Sequence, residues 1–242
     1  MSGHSKWNTI KRKKEKFDAQ KGKIFTKIGR EIAVAVRNKG PDPNTNFYLR
    51  DCISKAKSLN VPNENIERII KRVSGENSCE NYESFFYEGY GPEGSAFIVE
   101  ALTDNRNRTV SNLRRYFSRN GGNLGSSGCV SFLFKEQSLI SIEKKNLTEE
   151  ELIENIFDIP ITDIKDDGGS FLLLGEKGDG ENIRLKLREK NYNIVSCENL
   201  MLPISPVKTH DENLIKKIQN LIDVLEDDDD IQTVWHNYEF DD

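Results

Sequence analysis

Residues 138–201, SLISIEKKNLTEEELIENIFDIPITDIKDDGGSFLLLGEKGDGENIRLKLREKNYNIVSCENLM, decide the fold class. The hydrophobic spacing predicts a strand over 138–143, a helix over 148–157, strands near 161–165 and 170–175, a helix over 181–190 and a strand over 194–201. That order, β-α-β-β-α-β, is the split pattern of a ferredoxin-like unit. The flanks read as half-units. On the N-terminal side, Ser95–Leu102 predicts a strand, Thr109–Arg119 a helix with Val110, Leu113 and Phe117 on one side, and Cys129–Phe134 a strand. On the C-terminal side come an extended segment at Pro203–Thr209, a helix at Asp211–Leu225 and a strand at Ile231–Tyr238. Joined, the flanks supply a second β-α-β-β-α-β set, with the unit at 138–201 inserted between its halves. A further strand, Ser84–Tyr90, precedes Ser95–Leu102 across the turn Gly91-Pro92-Glu93-Gly94.

Upstream of Glu83 the period is helical. Phe25, Ile28, Ile32 and Val36 recur at helical spacing over 24–38, with Lys27, Arg30 and Arg37 off that stripe. Gly40-Pro41-Asp42-Pro43-Asn44 stops this helix. A second helix is predicted from about Asn46 to Leu59. A third begins near Pro62, where proline suits a first helical turn, and carries Ile66, Ile69, Ile70 and Val73. Three such helices make a small bundle, and Gly75-Glu76-Asn77-Ser78 reads as the linker. The expected architecture is therefore α+β with three domains. An N-terminal helical bundle (1–78) precedes two ferredoxin-like α+β domains, one (79–135 and 203–242) interrupted by the other (136–202).

Composition limits the partners. No apolar run approaches the roughly 18 residues that span a bilayer, and the start, Met1-Ser2-Gly3-His4-Ser5-Lys6-Trp7, lacks the apolar stretch of a secretory signal. A cytoplasmic protein with no membrane partner is expected. Cys52, Cys79, Cys129 and Cys197 are far apart, with no Cys-x-x-Cys pair and no histidine at metal-ligand spacing. They read as buried or half-buried thiols. The net charge of −5 conceals a division. Residues 1–75 hold 18 Lys and Arg against 7 Asp and Glu, a balance of +11. Residues 76–242 hold 17 against 33, a balance of −16. Such asymmetry points to a polyanion as the partner of the basic part.

No enzyme motif is present. The glycine-rich stretch Gly121–Gly128 is followed by no Lys-Ser/Thr, its glycines miss the dinucleotide spacing, and it reads as a helix stop and turn. His4, His210 and His236 fall in three different segments and read as structural. Asp227–Asp230 lacks the alternating ligands of a calcium loop and reads as a solvated turn. The basic start is different. Residues 1–30 carry ten Lys and Arg and only Glu15 and Asp18 as acids. Clustered, unmatched cations release counterions on meeting a phosphate backbone. Trp7 fits either stacking on a base or anchoring of the arm to the bundle. A second basic site, Asp104-Asn105-Arg106-Asn107-Arg108-Thr109, lies where a strand runs into a helix, followed by Arg114, Arg115 and Arg119. Helix-start amides and forked guanidinium donors there favour an anion. The competing reading is a capped loop with its arginines paired to local acids.

Several ordered blocks then resemble one family. They are Gly3-His4-Ser5-Lys6-Trp7, Gly22-Lys23-Ile24-Phe25-Thr26-Lys27, Asn65-Ile66-Glu67-Arg68, Tyr87-Glu88-Gly89-Tyr90-Gly91-Pro92, Leu102-Thr103-Asp104-Asn105-Arg106-Asn107-Arg108-Thr109-Val110 and Asn120-Gly121-Gly122-Asn123-Leu124-Gly125. These are similar to the signature stretches of the YebC/PmpR family, which includes the mitochondrial translational activator of cytochrome c oxidase. The resemblance is dense to about residue 134, looser over 138–202, and resumes near Leu221–Asp227 and Val234–Tyr238. It implies three domains with the third inserted in the second, and no enzymatic activity, cofactor, metal or small-molecule substrate. It also implies a nucleic-acid partner: DNA, as for members described as transcriptional regulators, or ribosomal or messenger RNA, as for members that help ribosomes through stretches such as consecutive prolines. The arm Lys11-Arg12-Lys13-Lys14-Glu15-Lys16-Phe17 is more lysine-rich than the family pattern. Charge and resemblance together nominate His4, Lys6, Trp7, Lys11, Arg12, Lys13, Lys14, Lys23, Lys27, Arg30, Arg106 and Arg108 as nucleic-acid contacts, with no catalytic residue.

Overall fold

A computed structural model describes Trp7, Ile10, residues 21–75 and residues 81–240. The rest of the basic arm and residues 76–80 of the linker, Cys79 included, lie outside the described residues. The chain forms two compact units. One takes the described residues up to Phe134 and those from Pro203 onward; the other is Lys135–Leu202.

In the first unit, α1 (Lys21–Lys39), α2 (Phe47–Ser58) and α3 (Asn63–Ser74) enclose a core of Ile28, Ile32, Val36, Leu49, Cys52, Ala56, Val61, Ile66 and Val73. The helical stripe in the sequence is the buried face. Gly40, at φ 84°, ends α1 in the left-handed conformation common after a helix. Asn46 then fixes the corner. Its Oδ1 accepts the N–H of Leu49 at 3.0 Å as a helix cap, and its Nδ2 donates to the carbonyls of Ala35 and Gly40 at 2.7 and 2.8 Å. Pro62 stands one position before α3 rather than in its first turn, with an extended ψ of 137°.

A four-stranded antiparallel sheet follows, built from β1 (Glu83–Tyr90), β2 (Ala96–Thr103), β3 (Asn123–Leu124) and β8 (Ile231–His236), in the order β3-β1-β2-β8. The β1–β2 hairpin turns through Glu93 and Gly94, both at positive φ. Gly91 allows the tight approach, because a Cβ there would lie 2.5 Å from the Phe97 ring. Helices α4 (Arg106–Arg119) and α7 (Glu212–Glu226) pack Leu113, Phe117, Ile218, Leu221, Ile222 and Leu225 against Phe97 and Val99 of the sheet.

This sheet differs from the expected one. Cys129–Phe134 is not a strand: Ser131–Leu133 is a 3-10 turn, and the next strand begins only at Phe134. The buried Glu88 supplies the reason. Its carboxylate accepts the N–H groups of Gly128, Val130 and Ser131 at 2.8, 2.8 and 2.9 Å, so these donors go to a side chain and not to a ladder. Pro203–Thr209 contributes only an isolated parallel bridge, Val207 to Tyr238. β1 and the two-residue β3 take the places expected for those segments.

The second unit carries β4 (Phe134–Glu143), α5 (Glu149–Ile156), β5 (Ile161–Asp166), β6 (Ser170–Glu176), α6 (Gly180–Glu189) and β7 (Ile194–Pro203). Its sheet order is β5-β6-β4-β7, the split βαβ arrangement with first and third strands at the centre. Ile140, Ile142, Phe171 and Leu173 of the sheet pack on Leu152, Ile156, Ile183 and Leu187 of the helices. Thr148 and Glu151 close a capping box at the start of α5. Among the described residues no helix is long and apolar enough to cross a membrane.

Candidate nucleic-acid interface

Three basic residues of α1, Lys23, Lys27 and Arg30, have a spacing that puts them on one helix face. The loop that follows α7 lies against that face. Lys23 Nζ pairs with Asp227 Oδ1 at 2.7 Å. Lys27 Nζ donates to the carbonyl of Glu226, the last residue of α7, at 2.8 Å, a favourable place for a cation at a helix C-terminus. Arg30 Nη1 donates to Asp229 O at 2.7 Å, Leu102 O at 3.1 Å and Asp230 Oδ1 at 2.7 Å.

Asp230 is the hub. Its side chain is 5% exposed. Oδ2 accepts from Thr109 Oγ1 at 2.9 Å and Thr103 Oγ1 at 3.2 Å, and Arg108 reaches both carboxylate oxygens through Nη2 at 3.1 Å. Burial would push this carboxyl up, but the hydrogen bonds from Arg30, Thr109 and Arg108 outweigh it, and the group is held below the usual carboxylate range. Burial also draws the Lys27 ammonium below the usual lysine range, against the opposing pull of Glu226, Asp229 and Asp228. Next to the hub, Asp228 Oδ2 accepts from Tyr116 Oη at 2.9 Å and Asn112 Nδ2 at 3.3 Å. The Asp227–Asp230 run is thus a turn that is solvated only in part, with Asp227 and Asp229 exposed and Asp230 buried. It is the clasp between helical bundle and sheet domain.

The nominated residues separate accordingly. His4, Lys6, Lys11, Arg12, Lys13 and Lys14 lie outside the described residues. Trp7 is buried, the arrangement of an anchor. Lys23, Lys27, Arg30 and Arg108 converge on the acidic loop, and Arg108 also pairs with Asp104 at 2.8 Å. Arg106 stands apart, its guanidinium 5.1 Å from the centroid of the Phe85 ring. An open cleft of about 420 Å³ is lined by Arg30, Asp104, Arg108, Asn112 and Asp227–Asp230. Five carboxylates against two guanidiniums make it a poor seat for a phosphate. Among the described residues no group of His, Cys, Asp and Glu is arranged to hold a metal ion. The sequence reading missed Asp230, Thr103 and Thr109 as partners of the basic residues. The available signal was complementarity: three cations on one helix face and four consecutive acids elsewhere.

Comparison with known proteins bears on both parts of the chain. The family model described as the TACO1/YebC protein N-terminal domain matches residues 5–76, and that for the TACO1/YebC second and third domain matches residues 82–238. A probable transcriptional regulatory protein of Hathewaya histolytica is 48% identical over 241 residues, covering 99% of this chain and 98% of the relative. One of Finegoldia magna is 48% identical over 239 residues, covering 99% of each. The crystal structure of a conserved hypothetical protein from Aquifex aeolicus aligns with a TM-score of 0.78 at 41% identity, over 93% of both chains.

Proposed function

The chain belongs to the TACO1/YebC family, and from that premise we propose that it is a cytoplasmic, nucleic-acid-binding regulator of gene expression that acts without catalysis. The observation that carries the proposal is the division of charge, +11 over residues 1–75 against −16 over the remainder. With Lys23, Lys27 and Arg30 engaged by the acidic loop, the densest run of other cations in the first domain is in the arm, at Lys11–Lys14 with Lys6 nearby. The names of the relatives, probable transcriptional regulatory proteins, support a regulator of transcription, and we propose DNA as its partner.

A second reading, a ribosome-associated translation factor, is favoured by one observation. The solvent side of α3 mixes Glu64 and Glu67 with Arg68, Lys71 and Arg72, all exposed. That mixture suits a major-groove recognition helix poorly, whereas a cationic arm suits irregular RNA, which is recognised largely by shape and phosphate contacts. Density-gradient fractionation of a native extract, with and without RNase, separates the two. RNase-sensitive co-migration with ribosomes supports the translation factor, and co-migration with DNA supports the transcriptional regulator. Migration as free protein that binds neither RNA nor DNA in vitro would overturn both.

A further inference from the structure

The second domain is acidic as a whole, yet residues 105–135 contain Arg106, Arg108, Arg114, Arg115, Arg119 and Lys135 and no Asp or Glu at all. Three of these cations ride on the solvent side of α4. Thr109, Leu113 and Phe117 are fully buried against the sheet, which turns Arg114, Arg115 and Arg119 outward, all exposed. Exposed Ser111 and Ser118 lie between them and add neutral donors. Among the described residues neither Arg114 nor Arg119 has a carboxylate in ion-pair reach. Arg115 bonds Asn112 at 3.3 Å and lies 5.2 Å from the Tyr116 ring centroid, contacts that orient it without neutralising it. Arg115 and Arg119 are also like charges four residues apart, which disfavours the helix unless something anionic is shared between them. The contrast with Lys23, Lys27 and Arg30 of α1 is direct, since those cations are matched by residues 226–230.

We propose that the exposed Arg114–Arg115–Arg119 face of α4 is a phosphodiester-backbone contact surface, separate from the N-terminal arm. It rests on the reading that the partner is a nucleic acid. It adds that the sheet domain, despite its net negative charge, grips the same strand. Guanidinium forks suit phosphate oxygens bidentately, and a rigid helix face holds them in a fixed array. Contacts of this kind position a protein and carry little base information, so DNA and RNA backbones are both candidate ligands.

The test is fluorescence-anisotropy binding of the full chain to a single-stranded RNA and to a DNA duplex across a salt series, using Arg114→Ala/Arg115→Ala/Arg119→Ala. For three lost contacts, the slope of log affinity against log salt is expected to shrink by about 2 on the RNA and nearly 3 on the duplex. The probe that shows its loss identifies the source of the backbone. A control, Lys208→Ala/Lys216→Ala/Lys217→Ala, removes equal charge elsewhere and is expected to change the slope by less than about 1. Thermal melting checks the fold, and the triple Gln variant replaces the Ala variant if that one melts early. Wild-type binding with an unchanged slope in the Arg variant would overturn the proposal while leaving the nucleic-acid reading intact. Equal losses in variant and control would overturn it too, reducing the effect to net charge. No binding by the wild type to either probe would overturn both.

Discussion

Arg30 of α1 and Asp230 after α7, two hundred residues apart in sequence, meet at 2.7 Å with side chains 15% and 5% exposed. Through this pair the helical bundle is fixed to the sheet domain, and Arg108, Thr103 and Thr109 complete the carboxylate's shell. Removing one partner of such a pair strands the other in a place with little water. Asp230→Ala is expected to cost about 3–5 kcal/mol. Asp227→Ala, whose partner Lys23 is far more exposed, is expected to cost less than about 1 kcal/mol. Urea unfolding of the two variants checks the difference.

The same carboxylate sets a pH dependence. Its folded-state pKa lies below the unfolded value, which is about 3.9 for aspartate. Its contribution is therefore complete above that pH and is lost as pH falls through the folded pKa. The stability gap between wild type and Asp230→Ala is expected to stay level from about pH 8 to 5 and to narrow below about pH 4. Urea titrations over a pH series measure it, and a gap that widened on acidification would contradict this assignment.

Glu88 holds the 128–131 loop by three backbone N–H groups. Glu88→Gln keeps the shape but removes the charge and turns a donor toward other donors. A loss of about 2–3 kcal/mol is expected. Amide hydrogen exchange at Gly128, Val130 and Ser131 should accelerate while exchange in β4–β7 is unchanged.

Cys52 is a buried thiol in the bundle core, pushed up to about 12 by burial and by Glu31. Since the thiolate is the nucleophile, it is expected to resist alkylation at about pH 8 until the bundle unfolds. Mass spectrometry of iodoacetamide-treated protein, native and in denaturant, reads this directly.

Much of the fold was legible because it rests on local periodicity. Ile28, Ile32 and Val36 announce a buried helix face, and the alternation from residue 138 onward announces the inserted sheet. The segment Cys129–Phe134 was misread as a strand because its donors are taken by Glu88, forty residues upstream, and no local pattern records that. The site was legible in its charges but not in their pairing. Lys23, Lys27 and Arg30 look like phosphate ligands until α7 brings Asp227–Asp230 against them. Arg114, Arg115 and Arg119 of α4 were visible from the start, while their place on the solvent side required the packing of Leu113 and Phe117 to show which side faces water.

The central claim is that the basic arm engages a nucleic-acid backbone. It is tested most directly by the salt dependence of binding in wild type and in Lys11→Ala/Arg12→Ala/Lys13→Ala/Lys14→Ala. Loss of four phosphate contacts should flatten the slope by about 3 on a single-stranded RNA and by about 3.6 on a DNA duplex, and weaken binding. A wild-type slope retained in the quadruple variant would contradict the claim and remove the arm from the mechanism.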